Sequence, residues 1–205
     1  MKYYILDINP EPIFPQVDNI EKIDVYQLIT GRLPKELPLL NYKLENGVKA
    51  TDILSQAEIT ATGLILNEKV KSIFKEFEFI KHRLFPISLQ NITDTYYWFH
   101  LITDLAEIDW LDYSQSTFYR NEFGFREEDL SFNSYKNYLS KKKEINDMST
   151  ISIEKIKLNE NFESKKYDLF ILPFLSGAIY ISERLKAELE KKEISGIEIK
   201  EAIIS

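Results

Sequence analysis

The sequence predicts an α+β protein, a mixed or antiparallel sheet with two similar strand–capped helix–strand units. Three observations lead there. Apolar runs of strand length, bounded by turn residues, recur along the chain. Residues 64–78 (LILNEKVKSIFKEFE) match residues 179–193 (IYISERLKAELEKKE) at an offset of 115. Each of these segments passes from three apolar residues through a capping residue into helical spacing. With 205 residues and 44% apolar content, the chain can bury a core without staples. One domain over 1–205 is expected, with two pseudo-repeat lobes (about 1–90 and 150–205) joined by an acidic-aromatic middle region, 91–149.

The opening MKYYILDINPEP has too short an apolar run for a signal peptide and reads as a strand over 2–7. Pro10, Pro12 and Pro15 then exclude helix and central strand, because proline lacks the amide donor and fixes its own φ. The stretch through Pro34 and Pro38 reads as extended.

In the first unit Asn67 is the N-cap, Glu68 complements the helix dipole, and Val70, Ile73, Phe74 and Phe77 form one apolar face. Ser182, Glu183, Leu185 and Leu189 take the same roles in the second, with Ile194 beyond. Gly63 and Gly177 precede the two strands, and Asp52-Ile-Leu corresponds to Asp168-Leu-Phe upstream. A further strand follows each helix, at 84–89 and at 196–200, the latter opening on Gly196. His82 reads as the end of the first helix, where a cation suits the dipole. Between the units, strands are expected at 95–102 and 108–113, followed by a polar aromatic stretch to about 138. The three lysines at 141, 142 and 143 mark a helix end or exposed loop, and strands follow at 150–158 and 167–174.

Chemistry-bearing patterns are scarce. Cysteine is absent, which removes disulfides, thiolate metal sites and a cysteine nucleophile, and fits a reducing cytoplasm. No phosphate loop, dinucleotide fingerprint, nucleophile elbow or H-E-x-x-H is present. His100 and Asp104 would lie about 13 Å apart on a strand, too far to chelate one metal. No metal or cofactor is therefore expected. The alternative to a binding protein is a small carboxylate- or metal-dependent hydrolase using the 104–129 acids, such as Asp109 with Asp112, or Glu127, Glu128 and Asp129.

The net charge of −7 is localised: residues 84–135 hold two arginines against nine acids, and the flanks are nearly neutral. Such a field repels nucleic acid backbone and suits a basic protein partner. No run approaches the length of a membrane span. The expected partner surface is Asp104, Glu107, Asp109 and Asp112, with Trp110 and Tyr113 among them. If 108–113 is a strand, either Asp109, Leu111 and Tyr113 face outward, or Trp110 and Asp112 do. The second set is preferred, because an unpaired Asp is costly to bury.

Segment 177–199, GAIYISERLKAELEKKEISGIEI, resembles the closing signature of a family of bacterial immunity proteins that accompany polymorphic, contact-dependent and secreted effector toxins. The likeness lies in the apolar strand, the Ser-Glu-Arg-Leu-Lys helix start at 182–186 and the Ser-Gly-Ile-Glu at 195–198. The two Asp motifs, LILNEKVK and the opening MKYYIL also suit that family. Asn67, Glu68, Asp168, Ser182, Glu183 and Gly196 read as structural: cap, dipole and core positions. The resemblance implies a cytoplasmic, non-catalytic protein that neutralises one cognate toxin domain by tight binding. It covers under half the chain and leaves 84–135 unmatched.

Overall fold

A buried strand running directly into a capped helix occurs twice, and the rest of the architecture is arranged around those two units. The computed structural model describes residues 2–8, 16–17, 40–44, 49–54, 62–90, 92–102, 109–145, 148–172 and 178–204. The first elements are β1 (Tyr3–Ile8), β2 (Gln16–Val17), β3 (Leu40–Lys43), β4 (Ile53–Leu54), β5 (Gly63–Asn67), α1 (Glu68–Phe74), β6 (His82–Leu89) and β7 (Tyr96–Leu101). Next come β8 (Thr117–Glu122), β9 (Phe125–Leu130), α2 (Tyr135–Glu144), β10 (Ser149–Lys155) and α3 (Glu160–Lys165). The chain closes with β11 (Leu169–Ile171), β12 (Ile179–Ser182), α4 (Glu183–Lys191) and β13 (Ile197–Glu201). The fold is α+β, with sheets ordered β2-β3-β6-β7-β5-β4, β11-β12-β1-β13 and β10-β8-β9. Among the described pairs of strands only β3 with β6 is parallel, and two isolated bridges, Phe79 with Leu169 and Ile156 with Ile204, are parallel too.

Both helices begin as their sequences require. Asn67 Oδ1 accepts from Val70 N at 3.1 Å, and Ser182 Oγ accepts from Leu185 N at 3.1 Å. Each bond satisfies one of the amides that a helix start leaves without a partner. Glu68 and Glu183 occupy the first turns, and Val70, Phe74, Leu185 and Leu189 are buried.

The correspondence reaches well beyond the helices. Strand order β4-β5-β7-β6 in one sheet matches β11-β12-β1-β13 in the other, antiparallel throughout. The N-terminal strand β1 thus takes the place in the second unit that β7 takes in the first. Its register agrees: Asn67 lies opposite Tyr96, and Ser182 opposite Tyr3. Tyr97 and Tyr4 come next, and each carries a lysine over its ring, Lys71 at 3.7 Å and Lys186 at 4.9 Å from the centroid.

Two aspartates tie the units to each other. Asp168 Oδ1 accepts from Ser182 Oγ at 2.6 Å, and its Oδ2 accepts from Arg184 and from the amide of Glu78, which follows the other unit's helix. Asp52 Oδ1 accepts from Asn67 Nδ2 at 2.8 Å, and its Oδ2 accepts from the Ser195 amide and hydroxyl at 2.9 and 2.8 Å. Each carboxylate therefore binds its own unit's cap and the segment after the opposite helix. Burial pushes both pKa values up, but the donors outweigh it and leave both below the ordinary 3.8.

One continuous core runs from Tyr3 and Leu6 through Phe99 and Phe118 to Leu189. A second cluster, with Ile65, Phe85, Tyr96 and Trp98, covers the other face of the six-stranded sheet. Because that sheet is buried on both faces, β5 reads as a continuous apolar run.

Several expectations change. The lobe boundaries at 1–90 and 150–205 do not follow the sheets, since β1 pairs with the C-terminal strands and β7 with the earlier ones. Helix α1 stops at Phe74, because Glu78 turns away to bond Asp168. Phe77 accordingly lies past the helix, beneath the Arg184 guanidinium at 4.5 Å, and His82 opens β6 instead of ending a helix. The polar aromatic stretch forms the β8–β9 hairpin and the start of α2. The expected strand at 150–158 is β10, followed by isolated bridges at Ile156 and Leu158. Gly177 and Pro10, Pro12, Pro15, Pro34 and Pro38 lie outside the described residues.

Candidate functional site

Asp109, Trp110, Asp112 and Tyr113, the described residues among those expected at the partner face, form a structural corner. Residues 109–113 are not a strand; their one ladder contact is the bridge between Leu111 and Leu158. Without strand alternation, Trp110, Leu111 and Tyr113 all turn inward. Trp110 is 8% exposed and packs edge-on against Phe162 at 5.8 Å and Tyr167 at 5.7 Å. The expectation that Trp110 faces outward with Asp112 is thus corrected, because Phe162 of α3 and Tyr167 just after it pack against the indole. Tyr113 stacks on Phe118 at 6.1 Å and donates to Asp109 Oδ1 at 3.1 Å.

Burial pushes Asp109 above the ordinary carboxylate range, and burial likewise pushes the Tyr113 phenol up. Asp112 caps the following turn, accepting from Ser114 N and Oγ and from Gln115 N and Nε2. The Ser114 hydroxyl above all holds its pKa below the usual range. Asn159 Nδ2 donates to Asp109 O at 2.8 Å while Asn159 caps α3, so the corner is fastened from both sides. Asp104 and Glu107 lie outside the described residues.

An exposed union of acid and aromatic instead occurs at the β8–β9 hairpin. The sequence Asn-Glu-Phe-Gly-Phe-Arg at 121–126 turns at Phe123 and Gly124, with φ of 51° and 88°. Positive φ at both central positions is the type I′ pattern, whose twist suits a two-residue hairpin. Asn121 Oδ1 accepts from Gly124 N at 3.0 Å and closes the turn. Phe123 is 72% exposed, Phe125 71%, and Met148, just before β10, 66%. Ser149 pairs with Glu122, so Met148 and Phe123 both lie just beyond the same end of the sheet.

Acids surround this tip. Arg126 is held by Asp129 at 2.6 Å and Glu154 at 2.9 Å, and Arg120 lies 3.7 Å from Glu128. Both arginines are therefore engaged locally, and the field that reaches solvent is negative. An extra residue in β9, where Arg120 pairs with Glu128 but Asn121 pairs with Arg126, leaves Glu127 as an exposed bulge. Composition alone does not separate the exposed Phe123 and Phe125 from the buried Trp110. The available signal was a Gly between two phenylalanines inside an acidic segment.

Among the described residues no group of three or more His, Asp or Glu side chains is placed to hold a metal ion. His100 is buried, with its ring stacked on Trp98 at 4.6 Å and its Nδ1 3.3 Å from Thr62 O. Burial lowers its pKa. Of the carboxylates considered for hydrolysis, Asp109 is engaged by Tyr113, Asp112 by its turn, and Glu128 and Asp129 by arginines, while Glu127 stands exposed. No helix among the described residues is long and apolar enough to cross a membrane. No family model matches the chain, and no curated protein matches it.

Proposed function

We propose that this protein neutralises a bacterial toxin domain in the cytoplasm by binding it, without turnover of its own. One observation carries the reading: the segment holding the entire net charge of −7 contains a hairpin, β8–β9, whose outer strand is exposed at five of six positions. A localised acidic field on a projecting element speeds encounter with a basic surface and holds it in register. The resemblance of 177–199 to the immunity-protein signature supports the same reading, and its motif residues act here as caps and cross-links. A nuclease cleft is one basic surface that such an element could occlude; nucleic acid itself would be repelled.

The test is co-expression with the C-terminal domain of the protein that the gene immediately upstream encodes, which this proposal requires to be a toxin. Cells should survive only when this chain is present, and the purified proteins should form a complex whose association slows as salt rises. Unaltered killing with no complex would overturn the proposal.

A further inference from the structure

Of the four large apolar residues that stand most exposed among those described, three lie at one end of the β10-β8-β9 sheet: Phe123, Phe125 and Met148, the fourth being Ile203. The backbone there is unusual. A bulky aromatic residue rarely adopts positive φ, and the two positions of a type I′ turn favour Asn and Gly. Phe123 at φ 51° is therefore a poor choice for the turn and a good one for contact. A side chain added at Gly124 would meet nothing within 4 Å, so the tip stands clear of the rest of the molecule.

We infer that this tip is the anchor of the complex: Phe123 and Phe125, with Met148 at the same end of the sheet, enter an apolar cleft of the toxin domain whose rim carries Lys and Arg. The inference rests on the toxin-binding reading above. Charge selects this occupant over others. Glu122, Glu127, Glu128 and Asp129 flank the aromatics, and the two arginines among them are engaged by acids. A second copy of this chain would bring the same acids against them, and anionic lipid or nucleic acid would be repelled. A basic protein surface is attracted, and desolvated aromatics at the centre with charges at the rim is the usual anatomy of a tight interface. The acids then set the encounter rate and the phenylalanines the lifetime.

The experiment uses the full chain and the toxin domain identified by that co-expression, purified in a form that cells tolerate, with affinity and rates measured at two salt concentrations. Phe123→Asn and Phe125→Ser are each expected to weaken binding by about tenfold or more, mainly through faster dissociation. Asn tolerates positive φ, so Phe123→Asn should leave the melting temperature unchanged or raise it. A purely structural role would lower it. Glu127→Gln should slow association and flatten its salt dependence, with little change in dissociation. If the wild-type chain binds and both Phe variants bind within twofold of it, the tip is not the anchor while the toxin-binding reading stands. If the wild-type chain does not bind, that reading falls and this one with it. Concentration-dependent dimerisation that Phe123→Asn abolishes would assign the tip to a second copy and overturn the inference.

Discussion

Replacing Gly196 with Ala tests how closely the two units are pressed together. Gly196 follows Ser195, whose amide and hydroxyl bond Asp52 across the unit boundary. Its φ is +88°, and a Cβ built there would lie 2.1 Å from Ile53 O, 2.5 Å from Thr51 Oγ1 and 2.9 Å from Thr51 Cβ. The first of these is backbone of a buried strand and cannot swing aside. The left-handed backbone costs an L-residue about 1–2 kcal/mol. Forcing a methyl into packed surroundings adds about 1–3 kcal/mol. The expected loss is therefore about 2–5 kcal/mol, a large share of the ~5–15 kcal/mol that a domain has. Gly124 is an internal control, because its φ is also +88° but nothing lies within 4 Å. Gly124→Ala bears only the backbone part, and the reduced freedom of the unfolded chain is common to both variants. Urea unfolding, read as the midpoint shift at unchanged m, gives both values. Equal losses for the two variants, or a loss below about 1 kcal/mol for Gly196→Ala, would refute the close approach.

Asp168 predicts a pH dependence. Its native pKa is depressed, so the unfolded chain binds more protons as pH falls through about 4, and the stability Asp168 contributes is present above that and lost below it. Asp168→Asn should lower stability at neutral pH and flatten the acid limb of a midpoint-against-pH curve; a parallel curve would contradict this. Asn67→Ala and Ser182→Ala should each lose about 1 kcal/mol of stability through the missing cap, with toxin binding unchanged. Both caps also donate to an aspartate, and the Ser182 loss is expected to be the larger because Asp168 is more deeply buried than Asp52. Deleting residues 1–8 should expose β12 and β13 to amide hydrogen exchange, since it removes the strand lying between them. Protection equal to the full chain would show that β1 is dispensable.

The hairpin shows how little of the candidate site the sequence revealed. The acidic excess over 84–135 was plain from composition, because charge is counted without knowing geometry. Which aromatics accompany it at the surface was not, because exposure depends on what packs alongside. Trp110 goes inward on account of Phe162 and Tyr167, fifty or more residues away. Phe123 stays outward because it sits at the tip of a two-residue turn.

The two capped strand–helix units belong to the sequence alone. A cap, a first-turn glutamate and apolar residues at helical spacing act within a few residues of one another, so Asn67, Glu68 and Val70, like Ser182, Glu183 and Leu185, carry their structure locally. The strand that completes the second unit was decided only in three dimensions. Tyr3 and Tyr4 lie opposite Ser182 and Ile181 as Tyr96 and Tyr97 lie opposite Asn67 and Leu66, yet they are at the far end of the chain. Asp52 and Asp168 likewise read as paired motifs, but their bonds to Ser195 and Glu78 span 143 and 90 residues. Such contacts form because a strand edge and a buried carboxylate must each be satisfied by whatever the fold brings near, and local pattern does not encode that choice.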